Sequence, residues 1–195
     1  MLASPMQLAV MTARLATGKM LSPRLIKTID GVEQETPEVA SMGMNENDLR
    51  QMRTGMYQVV NERRGTAYSS RIIADGMRMA GKTGTSPVRN ITAAERARGV
   101  TRNAQLPWER RAHALFVCSA PLAGPRYAGA VLVEHGGGGS TAAAPIARDV
   151  MLQALYGGEP PLEAYPSRDR GRIETQQRKL REMQPQAAID GSDQA

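Results

Sequence analysis

Apolar residues recur along this chain at two spacings, one helical and one extended, and the changes from one to the other mark its elements. Leu8, Met11 and Leu15, with Ala9, Ala13 and Ala16, make a broad face at the i, i+3, i+4 period. Ser4, Pro5 and Gln7 stand where an N-cap, a first helical position and the far side of a capping box should be, and Thr17-Gly18 stand where the helix should stop. The pattern therefore predicts a helix from Ser4 to Thr17 with that face buried. A second helix starts at Asn45–Asp48 and carries Leu49, Met52, Met56 and Val59/Val60 to Asn61, a stripe read as core. A third opens at Pro145 with Ile146, Val150, Met151, Ala154 and Leu155 on one face, and Gly157-Gly158 and Pro160-Pro161 end it.

Period-two runs lie between the second and third helices. Met77 and Met79 share one face of an extended segment that runs to Thr85, while Ala112–Cys118 and Tyr127–His135 make a pair joined by Ser119-Ala120-Pro121 and Gly124-Pro125. The expected architecture is α/β of the α+β kind, an antiparallel sheet flanked by helices. Ser22–Pro37 reads as a turn and an extended stretch with Asp30-Gly31 as a tight turn. Residues 86–110 have no period and five arginines, which reads equally as a solvated loop or as a grip on substrate or partner. Beyond residue 156 the chain turns polar, with only Ile173, Leu180 and Met183 as anchors, so 1–156 is the expected folded portion and 157–195 a disordered tail.

Composition narrows the function classes. At 41% hydrophobic and 23% charged residues, the 195-residue chain is globular, and no run approaches the roughly 18 apolar residues of a membrane span. The net charge of +6 is scattered over loops, and one Trp and one Phe offer little for base stacking, so nucleic acid is not an expected partner. An anionic envelope surface suits the charge equally. Met1–Val10 lacks a basic leader, so no export or membrane signal is expected in these residues. The single cysteine, Cys118, excludes an internal disulfide and fits a strand interior. No metal or cofactor is expected.

The candidate chemistry sits in Ala80-Gly81-Lys82-Thr83-Gly84-Thr85-Ser86. A strand edge there would present one positive charge, two hydroxyls and a bare glycine backbone, which suits an anionic, peptide-like substrate. Gly76 to Thr83 also satisfies the phosphate-loop pattern of a P-loop NTPase, with Ala130–Glu134 as an accompanying strand and acid. That pattern requires a helix after the lysine. Gly84 and Pro87 would cost that helix about 1 and 3 kcal/mol. His135-Gly136-Gly137-Gly138 imitates the oxyanion motif of lipases, but Gly138-Gly139-Ser140 lacks the last glycine of a nucleophile elbow, and the glycines read as a flexible turn.

The Lys-Thr-Gly box instead resembles that of penicillin-binding proteins and serine β-lactamases. The likeness extends through Ser4–Ala9, Gly65-Thr66-Ala67, His113–Val117, Val133–Gly137 and Ala144–Asp149, and the insert after the box resembles the elongation-type transpeptidases. The resemblance implies the C-terminal part of the transpeptidase fold, with the N-terminal half of that domain missing. It implies a serine acyl transferase that cross-links peptidoglycan and binds penicillin, at the periplasmic face of the inner membrane. Lys82, Thr83, Gly84 and Thr85 would bind the stem-peptide carboxylate, with Lys82 also catalytic and the Thr85 backbone N–H an oxyanion donor. Implied partners are stem peptides, β-lactams and membrane proteins of the elongation complex. No Ser-x-x-Lys box occurs and neither a Ser-x-Asn nor a Ser-x-Asp box is expected, so the chain alone is expected to be catalytically silent and poorly folded, its nucleophile encoded upstream. A non-catalytic envelope scaffold acting through residues 86–110 is the other class to keep open.

Overall fold

A computed structural model of the chain describes residues 3–183. Helix α1 (Pro5–Thr17) begins with the predicted reciprocal cap: Gln7 N–H donates to Ser4 Oγ at 3.2 Å and Ser4 N–H to Gln7 Oε1 at 2.8 Å. It ends at Gly18, whose φ of 73° only glycine adopts without strain. Strands β1 (Thr28–Ile29) and β2 (Val32–Glu33) form a small hairpin turned by Asp30 and Gly31, both left-handed. Helix α2 (Glu46–Asn61) is capped by Asn45, which accepts from Asn47 N–H at 2.8 Å.

Strand β3 (Ala80–Ser86) follows, then helix α3 (Ala93–Arg98), β4 (His113–Ala120), β5 (Tyr127–Val133) and helix α4 (Ala144–Tyr156). The sheet runs β3-β4-β5, antiparallel throughout, with Thr83 opposite Phe116 and Phe116 opposite Val131. Side chains alternate across it, so Ala114, Phe116 and Cys118 share one face, and that face is closed by Met79, Ile72, Val60 and the buried stripe of α4. Burial pushes the Cys118 thiol up to about 12, as an inert core position requires. Helix α1 lies along β5 and β4 and adds none of its residues to this cluster.

Three expectations need correction, besides Met52 of the α2 stripe, which is exposed and not core. The α1 face is not buried: Met11 is exposed, and Thr12 is the one buried residue of the helix, its hydroxyl donating to Leu8 O at 2.8 Å. On α4, Ile146 and Val150 are exposed, whereas Ala144, Ala147, Arg148, Met151, Leu152 and Leu155 are buried. The helix carries two apolar stripes, and its small Ala144 and Ala147 belong to the one that meets the sheet. The third concerns the polar segment after residue 157.

In the described residues that segment forms a 3₁₀ turn (Leu162–Ala164) and helix α5 (Ser167–Met183), with Tyr165 and Ile173 in the main core. An ion pair explains how so polar a helix docks. Arg148, fully buried, donates from Nε to Asp149 and from a terminal nitrogen to Asp169 of α5, and its guanidinium lies 5.1 Å from the Tyr165 ring centroid. Leu180 and Met183 remain exposed. The rest of the expected tail, 184–195, lies outside the described residues.

Candidate active site

β3 is hydrogen-bonded to a neighbouring strand on one side alone among the described residues, so its outer edge presents backbone donors and acceptors along Lys82–Thr85, of which the Thr83 carbonyl is taken by Lys82 Nζ. Two glycines hold it close to what lies behind. A Cβ on Gly81 would stand 2.4 Å from Phe116 Cζ and 2.6 Å from the Val117 carbonyl, so β3 keeps its place over Phe116 only with glycine there. Gly139, in the turn before α4, approaches more closely: its Cβ would fall 2.2 Å from Leu115 O and 2.5 Å from Gly84 O. The glycines after His135 are thus not there for flexibility alone. At least Gly139 is a contact surface against the strand that carries the box.

The side chains are held from the front. Thr83 Oγ1 lies 3.0 Å from Thr66 Oγ1, which fixes one hydroxyl of the box to the Gly65-Thr66-Ala67 turn. That turn is itself fixed by Ala67 N–H donating to Val59 O at 2.9 Å. Asn61 closes α2 and donates to Met79 O at 2.9 Å, tying the helix end to the residue before β3. Lys82 Nζ donates to Thr83 O at 2.9 Å, and among the described residues no carboxylate stands within ion-pair reach of it. Its charge therefore remains available to an anion.

All four predicted residues, Lys82, Thr83, Gly84 and Thr85, fall on this one open edge. The phosphate-loop geometry does not form: Lys82 sits inside a strand, and the next helix begins only at Ala93. From sequence Asn61 reads only as a helix end and Gly139 only as part of a flexible turn. An asparagine at a helix end and a glycine in a run of four signal turns, not the strand they brace. The expectation of no Ser-x-Asp triplet needs correction, since Ser167-Arg168-Asp169 opens α5, but there Asp169 is engaged by Arg148 in packing.

A family model described as the penicillin binding protein transpeptidase domain matches residues 1–152. The chain belongs to that family. The peptidoglycan D,D-transpeptidase MrdA of Haemophilus influenzae is 35% identical over 176 residues, covering 84% of this chain and 25% of its own length. Its Acinetobacter baumannii counterpart is 31% identical over 147 residues, 72% of this chain and 21% of the relative. Among solved structures, PBP2 of Pseudomonas aeruginosa in complex with WCK 5153 aligns with a TM-score of 0.58 at 34% identity, over 84% of this chain and 32% of that one. PBP2 of Helicobacter pylori in complex with MreC aligns with 0.58 at 30% identity, over 80% and 25%. The transpeptidase fold is thereby shown, as helices around an antiparallel sheet. This chain spans about a quarter of the length of the curated relatives it matches.

Proposed function

We infer that this chain forms the substrate-binding edge of an elongation-type peptidoglycan D,D-transpeptidase, which also takes β-lactams. The observation that carries the reading is the open edge of β3, where an unpaired lysine, a braced threonine and bare backbone line up within four residues. An extended peptide adds to such an edge as a further strand, its backbone bonded to β3. Lys82 with the Thr83 and Thr85 hydroxyls receives the terminal carboxylate through charge-assisted bonds, each contributing about 1.5–3 kcal/mol. Gly84 leaves room for the second backbone.

The chemistry follows as acyl transfer. A serine attacks the penultimate D-alanine carbonyl, the Thr85 N–H donates to the developing oxyanion, the terminal D-alanine leaves, and an amine of a second stem takes the acyl group. The serine and its base lie outside this sequence, which holds neither box. The whole enzyme would work at the periplasmic face of the inner membrane, in cell-wall elongation and cell shape, beside membrane proteins of that machinery. The H. pylori PBP2–MreC complex supports a partner of that kind. A phosphate-loop ATPase has no geometric support, and a pure scaffold would have no use for an unpaired Lys82.

The test is covalent labelling by a fluorescent penicillin. The protein read with its upstream sequence should be acylated, and Lys82→Ala should slow acylation by at least about 100-fold, as loss of a group acting in the transition state does. Residues 1–195 alone should stay unlabelled. Labelling of the short chain would refute the division of the site, and an unlabelled long chain would refute the activity.

A further inference from the structure

Helices α4 and α5 flank a cavity of about 670 Å³, with the connection 158–160 along one side and none of Lys82–Thr85 in its wall. That is room for a small molecule or for a few residues of extended peptide. Tyr165 and Ile173 line it from the core, Asp149 and Gln153 from α4, and Gln177 and Leu180 from α5.

Two buried side chains in this wall keep hydrogen-bonding capacity unspent. Gln177, 9% exposed, donates from Nε2 to Pro160 O at 2.7 Å, which fixes its carboxamide and leaves Oε1 without a donor among the described residues. Tyr165, 3% exposed, has no partner for its hydroxyl among the described residues. Burial, together with the Asp149 carboxylate, pushes that phenol up to about 12, so it stays a neutral donor. Buried polar groups are nearly always paired, so a donor and an acceptor left open in one wall mark a place where another molecule supplies the partners. A backbone amide supplies both, its carbonyl accepting from Tyr165 and its N–H donating to Gln177.

The rim adds a charge and an apolar surface. Lys179 has no carboxylate within ion-pair reach among the described residues, whereas Arg181 reaches Glu159 at 3.6 Å and Asp149 is held by Arg148. Leu180 stands 61% exposed next to that lysine, and Ile173 and Pro160 belong to the same wall. Such a rim is complementary to a carboxylate and an aliphatic side chain.

We propose that the α4–α5 cavity docks an extended segment of a partner protein, in which an aliphatic residue stands next to an acidic one and a backbone amide meets Tyr165 and Gln177. The inference does not rest on the transpeptidase reading, since α5 lies beyond the residues that match the family model.

The experiment follows the fluorescence anisotropy of a fluorescein-labelled acetyl-Ala-Leu-Glu-Ala amide with the full-length protein, beside versions that carry serine for the leucine or glutamine for the glutamate. Wild type should bind the parent peptide well below millimolar concentration and each altered one about fivefold more weakly. Tyr165→Phe, which keeps the ring in the core, should weaken the parent peptide by about fivefold through the lost hydrogen bond. Lys179→Gln should erase the preference for glutamate over glutamine. Both variants should keep the wild-type far-ultraviolet circular dichroism, which separates lost binding from lost fold. No binding of the parent peptide would mean that water alone completes the wall, and would overturn the proposal, as would equal binding of all three peptides or binding unmoved by both variants. Binding that emerges only after residues 184–195 are removed would overturn it too, by giving the site to the chain's own C-terminal residues.

Discussion

Residues 3–44 and the block made of β3–β5 and α4 obey the same local rules and end in opposite surroundings. In the first, Thr12 alone is buried, and Leu25, Ile26, Ile29 and Val32 stand 95%, 60%, 50% and 66% exposed. In the second, Ala114, Phe116, Ala120, Ala144 and Leu152 are wholly buried. Yet α1 has the better cap of the two helices, and the β1–β2 turn has the backbone angles its sequence calls for. Capping and turn chemistry act within a few residues and form an element whether or not anything lies on it. Burial depends on a partner. Met6, Met11 and Leu15 line an open groove on α1 with Pro23 and Met42.

The largest expected contrast is between the two blocks themselves. Phe116→Ala should cost about 4 kcal/mol in denaturant unfolding. Leu25→Ala should stay within about 0.5 kcal/mol. Comparable losses at the two positions would mean that the N-terminal block is packed in solution, and would break the comparison.

A smaller effect sharpens it inside the well-packed block. Gly139→Ala pushes a methyl group into the backbone of β3 and β4, and should cost about 2 kcal/mol and slow penicillin acylation together. Gly55→Ala, in the middle of α2 with nothing within 4 Å of the new methyl group, should instead stabilise by about 0.5–1 kcal/mol. If Gly139→Ala leaves acylation unchanged, the turn before α4 does not hold the strand.

The smallest effect is on the connection after β3. The Arg89 guanidinium, with help from Thr101, holds the Glu95 carboxyl at about 2, below its ordinary 4.5. A depressed value means that the stabilisation is complete above about 4.5 and is lost as pH falls from there towards 2. Hydrogen exchange at 89–101 should therefore be insensitive from pH 8 to 5 and accelerate below, beyond its intrinsic pH dependence. Loss of protection already at pH 6 would show that some other group holds the loop.

Sequence carried the element list far because caps and turns are written locally: Ser4/Gln7, Asp30-Gly31, Asn45 and Gly157 all stand where expected. The four box residues were legible for the same reason, being contiguous. Periodicity could not choose between the two apolar stripes of α4, since the choice depends on how closely Ala144 and Ala147 approach the sheet. Helix α5 was misread as tail because its anchorage is electrostatic: mean hydropathy cannot register that Asp169 answers Arg148 from the helix before. Likewise α3 was hidden in residues 86–110, where Thr92 and Glu95 make a cap too short for a period to appear.

The docking of α5 has a consequence for what counts as the unit. The match to the family model ends at residue 152, inside α4, while Tyr165 and Ile173 are 3% and 4% exposed in the same interior. Ile73 N–H donates to Ala164 O at 2.9 Å, and Arg168 reaches Ser69 O at 3.2 Å, one short 3₁₀ turn away from the Thr66 that steadies Thr83. The bounds of that match and the packing therefore draw different borders through this molecule. The segment beyond that match is part of the interior, and a boundary drawn at residue 152 would cut a helix in two and leave a hole where an aromatic ring belongs.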